Sequence, residues 1–409
     1  MSVRKRRWTS KGVEHEGWQA DYLDAAGKRR RKMFDRKKDA DAFLVTAKGE
    51  VRDGVHVADS ETVTIAEAGK FWIASGQAAD LERGTLAQRR QHLDLHINPL
   101  IGDLRLNKLT VPGVRDFQDR LRGAARSQDM IKRVTVSLGS ILADAQGRGL
   151  TIRNPVHERT RARSGAKSAE RRAKRKLQVG VDIPSPEEIR LLLSSLAGKW
   201  RPLLLTAVFT GMRSSELRGL IWANVDLDKK LVHVRQRADT YNAIGRPKSA
   251  AGDRSIPIPP LLVNTLREWR LACPRRDTGK KDGSGEPIKV LEFVFPTGAG
   301  NIETRGNIAK RGLIPAMIAA GLTVETDKLD RDGKPILAAK YPGLHAIRHF
   351  YASWCINPLA VGGQGLSPKT VQERMGHSAI TMTMDVYGHL FPTNDDGELL
   401  ASAERSLFG

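Results

Sequence analysis

Four short stretches in the second half of the chain carry side chains able to work on a phosphate. They are Thr-Gly-Met-Arg-Ser-Ser-Glu-Leu at 210–217, Pro-Lys-Ser at 247–249, Leu-His-Ala-Ile-Arg-His at 344–349, and Gly-His-Ser at 376–378 followed by Asp-Val-Tyr-Gly-His at 385–389. A tyrosine phenol, with an ordinary pKa of about 10, is a weak nucleophile that must be held in line with the ester it attacks. Attack on a phosphodiester gathers negative charge on the equatorial oxygens. Planar guanidinium groups meet that charge with paired hydrogen bonds. Arg213 and Arg348 are the candidates for such a clamp and Tyr387 for the nucleophile, ending as a phosphotyrosyl link. The departing oxygen needs a proton, which Lys248 on its polar turn is placed to give, with Arg246 two residues earlier as a competitor. The covalent link keeps the ester's free energy, so the step reverses on a second hydroxyl and calls for no cofactor, neither ATP nor a metal.

Taken singly, each residue has an ordinary structural role. Arg213 suits a helix-terminal ion pair, Lys248 a solvated turn, and His345 with Arg348 a pair on one helix face. Tyr387 could anchor a chain end by packing its ring. Their order makes one shared site the better reading.

The order Arg, Lys, His-x-x-Arg, His, Tyr resembles the tyrosine recombinases, the phage-integrase family, and so does the local wording around each residue. The histidine of Gly-His-Ser precedes the tyrosine by ten positions, as that resemblance requires. The family likeness implies that His345 and His377 hydrogen-bond the phosphate or aid proton transfer and that Glu216 orients Arg213. It implies a site-specific recombinase that integrates or excises a phage or other mobile element, acting as a homo-tetramer on double-stranded DNA with core and arm-type sites. A host DNA-bending protein and an excisionase are partners common around the family, and the bacterial cytoplasm, at the nucleoid, is the place implied. A type IB topoisomerase-like enzyme and a non-catalytic DNA-binding regulator are the alternatives.

The remaining acid–base groups sort differently. His349 adjoins Arg348 and, on a helix, points about 100° away from it, so it is assigned to structure; His389 is placed outside the clamp. These histidines lack a carboxylate set at ligand spacing, so no metal site is expected. The acidic stretch holding Glu325, Asp327, Asp330 and Asp332 ends in Asp332-Gly333 and reads as a solvated loop or hairpin.

The elements that must position this chemistry follow from periodicity and punctuation. The chain has 409 residues, 40% hydrophobic, with 68 Lys and Arg against 46 Asp and Glu, a formal net charge of +22. Such a balance favours a polyanionic partner. Two cysteines make no disulfide framework, no apolar run is long enough to cross a membrane, and the basic first residues lead into Trp8 rather than a signal-peptide core. The expected fold is multidomain, mainly α with small β-sheets. Residues 1–58 form a three-stranded sheet plus helix, which the family resemblance implies is an arm-type DNA-binding module: Trp18, Ala20 and Tyr22 alternate with Gln19 and Asp21, and a returning strand at 28–34 carries Arg29, Arg30 and Arg31 toward DNA.

Residues 59–158 form a helical domain, with apolar spacing at 65–72, 85–96, 114–121 and 131–145 and breaks at Asn98-Pro99, Val111-Pro112 and Asn154-Pro155, which the family resemblance implies is the SAM-like core-binding domain. Residues 159–180 are a basic linker, with nine Lys and Arg against Glu170 between Arg159 and Lys176. Arg171, Arg172, Lys174 and Arg175 are its candidate DNA contacts. Residues 181–409 form an α+β catalytic domain of tyrosine recombinase type. It opens with the capping box Ser185-Pro186-Glu187-Glu188 and includes a strand at 231–235, a returning strand at 254–258 and a Gly/Lys-rich loop at 279–285. The tail carries Leu399, Leu400, Ala403 and Leu407 at helical spacing, suited to docking on a neighbouring copy or on its own domain. Which base sequence is read has no signature in any short motif.

Overall fold

The structure, a computed structural model, describes residues 1–10, 13–24, 27–52, 54, 56, 58, 62–158, 176–391, 401 and 404–408. The chain divides into two compact units, Met1–Arg172 and Ala173–Gly409. The basic candidates Arg171, Arg172, Lys174 and Arg175, and the tail positions Leu399, Leu400 and Ala403, lie outside the described residues.

The first unit begins with an antiparallel sheet in the order β1 (Ser2–Ser10), β2 (Val13–Leu23), β3 (Arg29–Phe34), followed by helix α1 (Lys37–Arg52). The basic first residues form a strand because they pair along β2, from Ser2 opposite Asp21 to Trp8 opposite His15. One face of the sheet packs Ala20 and Tyr22 against Ala40, Phe43 and Ala47 of α1, with the Tyr22 and Phe43 rings 5.4 Å apart. On the other face Gln19 and Asp21 are buried as well, because long basic side chains lie across them. Asp21 receives Arg4 at 2.8 Å, Arg31 at 3.4 Å and Arg29 at 3.7 Å, and Arg30 pairs with Asp24 at 2.7 Å. Arg29 and Arg31 keep more than half of their side-chain surface exposed, whereas Arg30 keeps 14%.

The helical part follows the expected spacing. Helix α2 (Ile65–Ala78) starts in a capping box of Thr64 and Glu67, and α3 (Arg83–His92) follows. Asn98-Pro99 does not end the helix as expected. A π-helical turn over Leu93–Ile97 precedes α4 (Asn98–Ile101), with the Asn98 N–H reaching back to the Leu93 carbonyl. The widened turn lets the chain continue past a residue that has no N–H to donate. Helices α5 (Val111–Gly123) and α6 (Gln128–Gly147) complete the core around Trp72, Phe117, Leu138 and Leu142.

In the second unit the Ser185–Glu188 capping box opens α7 (Pro186–Ser195). Helix α8 (Trp200–Thr210) is apolar almost all round and buried on nearly every side, the pattern of a central helix. It packs against the later helix Leu344–Ile356, which carries two of the candidate residues. Short helix α9 (Ser214–Gly219) follows the Thr-Gly-Met-Arg turn. A three-stranded antiparallel sheet places β5 (Leu231–Val234) between β4 (Val225–Asp226) and β8 (Arg254–Pro257), with β6 (Arg237–Ala238) and β7 (Ile244–Gly245) forming a small pair between them in sequence. Helix α10 (Pro260–Ala272) leads to the Gly/Lys-rich segment, which is a hairpin of β9 (Arg276–Lys281) and β10 (Pro287–Val290) rather than a loop. Asp282 accepts the backbone N–H groups of Ser284 and Glu286 and so closes its turn.

Helices α11 (Arg305–Asn307) and α12 (Ile314–Ala319) flank a second π-helical turn. The acidic stretch forms the exposed hairpin β11 (Thr323–Leu329) and β12 (Pro335–Ala339), its turn held by Asp330. Helices α13 (Leu344–Ile356), α14 (Pro368–Met375) and α15 (Ile380–Tyr387) finish the described core. Leu177 packs against this core, so residues counted with the linker join the second unit. No helix among the described residues is long and apolar enough to cross a membrane.

Candidate active site

The site is built where three chain turns meet. Helix α8 ends at Gly211 in the left-handed conformation (φ 58°), and a Cβ there would lie 2.3 Å from the Tyr351 ring. Only glycine satisfies both demands. The turn delivers Arg213 to the start of α9, where its N–H and Nη1 donate to the two oxygens of Glu216, each at 2.8 Å. Helix α14 ends at Gly376, also left-handed (φ 63°), and a Cβ there would meet the Arg254 guanidinium at 2.8 Å. The carbonyls left open at that helix end are taken by the two arginines. Arg213 Nη2 donates to Gly376 O at 3.1 Å and Arg348 Nη2 to Met375 O at 2.5 Å. Arg348 Nη1 also donates to Gly211 O at 2.6 Å, which ties α13 to the Arg213 turn.

Electrostatics follow from this crowding. Burial pushes the Glu216 carboxyl up, but Arg254, Arg213 and the Arg213 N–H more than offset it and hold it below the usual carboxylate range. Burial and the neighbouring Arg213 bring Arg348 down to about 9, so it remains a cation at neutral pH. Among the described residues Arg348 has only carbonyls as hydrogen-bond partners, and Arg213 shares its charge with Glu216 while reaching the neighbouring carbonyl, so the pair is poised to receive an anion.

The imidazoles and the phenol close the site from the other side. His377 is 8% exposed, its Nδ1 lies 3.0 Å from Thr383 Oγ1, and its ring stacks parallel to Tyr387 with centroids 6.4 Å apart. Burial and then Arg348, Arg213 and Arg254 push it down to about 4. Tyr387, at the end of α15, is 2% exposed. Burial pushes its phenol up to about 12, against the opposite pull of Arg348 and Arg213. His345 is exposed at the first turn of α13, and burial with Arg348 and Arg213 lowers its pKa.

The structure thus brings Arg213, Glu216, Arg348, His377 and Tyr387 together, with His345 beside them. Lys248 is not drawn in. It stands exposed between β7 and the turn at 250–252, and its ammonium has no partner among the described residues. His389 lies outside the clamp, within 2.8 Å of the Leu177 carbonyl. No cluster able to hold a metal ion occurs among the described residues.

Two residues change place. His349, assigned above to structure, touches the phenol: its Nδ1 is 2.7 Å from the Tyr387 hydroxyl oxygen. The offset of about 100° from Arg348 holds, but position 349 lies one helical turn beyond 345 and therefore shares the His345 face. The two rings meet edge to face at 4.4 Å. Arg254 was passed over altogether. It pairs with Glu216 at 2.9 Å and donates to the carbonyls of Arg374 and Gly252, joining the arginine turn, the end of α14 and the segment after Lys248. Its signal was present: it shares the period-two face of its strand with Ile256, and an arginine there requires a buried partner.

The phage integrase family matches residues 185–394, and the N-terminal SAM-like domain of phage integrases matches residues 64–122. A tyrosine recombinase XerC-like protein of Caldanaerobacter subterraneus is 26% identical over 386 residues, 90% of this chain and 90% of that protein. The prophage integrase IntR of Escherichia coli is 26% identical over 228 residues, 54% of this chain and 51% of that protein. Among solved structures, the Tn1549 transposon integrase in complex with a circular intermediate DNA has a TM-score of 0.58 at 18% identity, covering 84% of this chain and 99% of that one. A lambda integrase tetramer bound to a Holliday junction has a TM-score of 0.50 at 15% identity, covering 92% and 96%.

Proposed function

The chain belongs to the phage integrase family, and from that premise we propose that it cuts and rejoins DNA strands at Tyr387, as a site-specific recombinase that integrates or excises a mobile element. The observation that carries the assignment of Tyr387 is its placement, 2% exposed as a residue, in the site that also holds Arg213 and Arg348, whose side chains take the adjacent carbonyls of Gly376 and Met375. A scissile phosphate would replace or share those carbonyl bonds. Arg213 and Arg348 then hold the equatorial oxygens, Glu216 and Arg254 fix Arg213 in place, and His345 and His377 line the same phosphate. The Tyr387 oxygen forms the bond to phosphorus and the bond to the 5′ oxygen breaks. Lys248, exposed and without a partner among the described residues, swings in to protonate that oxygen.

Duplex DNA is the substrate, and four copies acting on two duplexes is the assembly supported by the tetrameric relative. A host DNA-bending protein, an excisionase and action at the nucleoid complete the reading. The three-part division at 1–58, 59–158 and 181–409, with the basic segment 159–180 between, places arm binding, core binding and catalysis in sequence. Arg29 and Arg31 of β3 and Arg171, Arg172, Lys174 and Arg175 of the basic segment contact DNA backbone in this scheme.

The test starts from a core site selected from random duplexes for binding to the Tyr387→Phe variant. Two plasmids carrying that site should be joined at it by the wild-type protein. Relaxation of supercoils without any joining would place the chain with the type IB topoisomerase-like enzymes instead.

A further inference from the structure

We propose that His349 takes the proton from the Tyr387 hydroxyl as that oxygen attacks the phosphate. This rests on Tyr387 being the nucleophile. A neutral phenol has one proton to give, and the His349 Nδ1 at 2.7 Å is its hydrogen-bond partner. With the phenol donating, the imidazole proton sits on Nε2 and Nδ1 offers its lone pair, the arrangement of a base. The ring is half-buried and held edge-on by His345 at 4.4 Å, and edge-on to Tyr387 at 5.7 Å, so its aim at the hydroxyl is fixed from both sides.

The charges around the ring keep it neutral before reaction. Arg348 precedes it and His345 sits one turn earlier on the same helix, His377 faces the same phenol from the segment after α14, and Asp182 acts from the turn before α7. Burial, His345 and Arg348 push it down to about 4, with Asp182 pulling the other way. An arriving phosphate dianion-like transition state offsets Arg348 and Arg213, which raises the basicity of the ring at the moment the proton must leave.

In the step itself, the Tyr387 oxygen bonds to phosphorus as its proton passes to His349 Nδ1. The bond from phosphorus to the 5′ oxygen breaks, and Lys248 protonates that oxygen. On rejoining, the incoming 5′ oxygen bonds to phosphorus as Lys248 takes back its proton, the bond from phosphorus to the Tyr387 oxygen breaks, and the proton returns from His349 to the departing phenolate. No external oxidant, reductant or metal enters.

The experiment measures covalent adduct formation on a suicide duplex carrying the selected core site, comparing wild type, His349→Ala and His349→Asn. The asparagine oxygen accepts a hydrogen bond near the Nδ1 position but takes up no proton. Both variants should form adduct at least about a hundredfold more slowly at neutral pH, with rates climbing about tenfold per pH unit where the wild-type rate is nearly flat. A 5′-bridging phosphorothiolate, whose leaving sulfur needs no acid, should restore Lys248→Ala and leave His349→Ala slow. A His349→Asn rate equal to wild type would overturn the proposal, as would slowed variants that keep the wild-type pH profile. A wild-type protein that binds the duplex yet forms no adduct would instead overturn the assignment of Tyr387.

Discussion

Glu216 and Arg254 face each other across 2.9 Å with 2% and 6% of their side-chain surfaces exposed, and the same carboxylate holds Arg213. A buried carboxylate shared between two guanidinium groups fixes one of them, Arg213, toward the phosphate while the other ties down the strand behind Lys248. Glu216→Gln removes the charge and keeps the shape. It should lower unfolding free energy by about 3–5 kcal/mol, the cost of leaving a buried partner uncompensated. Urea unfolding of the full chain checks this, and an unchanged midpoint would show that the pair contributes no stability.

The clamp should matter to rate far more than to affinity. Arg213→Ala and Arg348→Ala should each slow covalent adduct formation about a hundredfold to a thousandfold, since each removes a donor aimed at charge that develops only in the transition state. Duplex binding, followed in the same samples, should hardly change, because most of the +22 charge lies elsewhere. Affinity that fell in step with rate would mean the arginines bind the ground state.

Acid should loosen the catalytic unit before carboxylates titrate. His349 and His377 are pushed down to about 4 in the fold from an ordinary 6.5, so the unfolded chain binds more protons between those values. Their contribution is whole above pH 6.5 and is lost as pH falls toward 4. Melting temperature should therefore decline between pH 6.5 and 5. His377→Asn should flatten that decline, and an identical slope in the variant would remove His377 from the effect.

Much of this was legible in the residues. The arginine turn, the Gly-His-Ser segment and the tyrosine ten residues on announce themselves by type and order, and the capping box at Ser185 marks a helix start by chemistry that acts within four residues. What escaped depends on neighbours distant in sequence. The burial of Asp21 is decided by Arg4, Arg29 and Arg31 on two flanking strands. The passage of a helix through Pro99 depends on a π-helical turn that local propensity does not signal. His349 was read against its immediate neighbour, Arg348, when the relation that matters is one turn away, to His345, and across to Tyr387.

Binding should be steeply salt-dependent. Each neutralised phosphate releases counterion, giving a log–log slope of roughly −0.9 per contact on duplex DNA, and removing one contacting arginine should reduce the slope by about one contact. Arg29→Ala and Arg31→Ala should each do so, whereas Arg30→Ala should not, because Arg30 is spent on a buried pair with Asp24. Filter binding over a salt series decides it. Equal slopes for the Arg29, Arg31 and wild-type proteins would remove β3 from the DNA interface.

The most direct measurement is the covalent adduct itself, trapped on the suicide duplex and mapped by digestion to a single peptide. The wild-type protein should yield a 3′-phosphotyrosine on Tyr387, and Tyr387→Phe should yield no adduct while still binding the duplex. An adduct that persists in Tyr387→Phe, or one that maps to another residue, would contradict the assignment of the nucleophile on which the whole site depends.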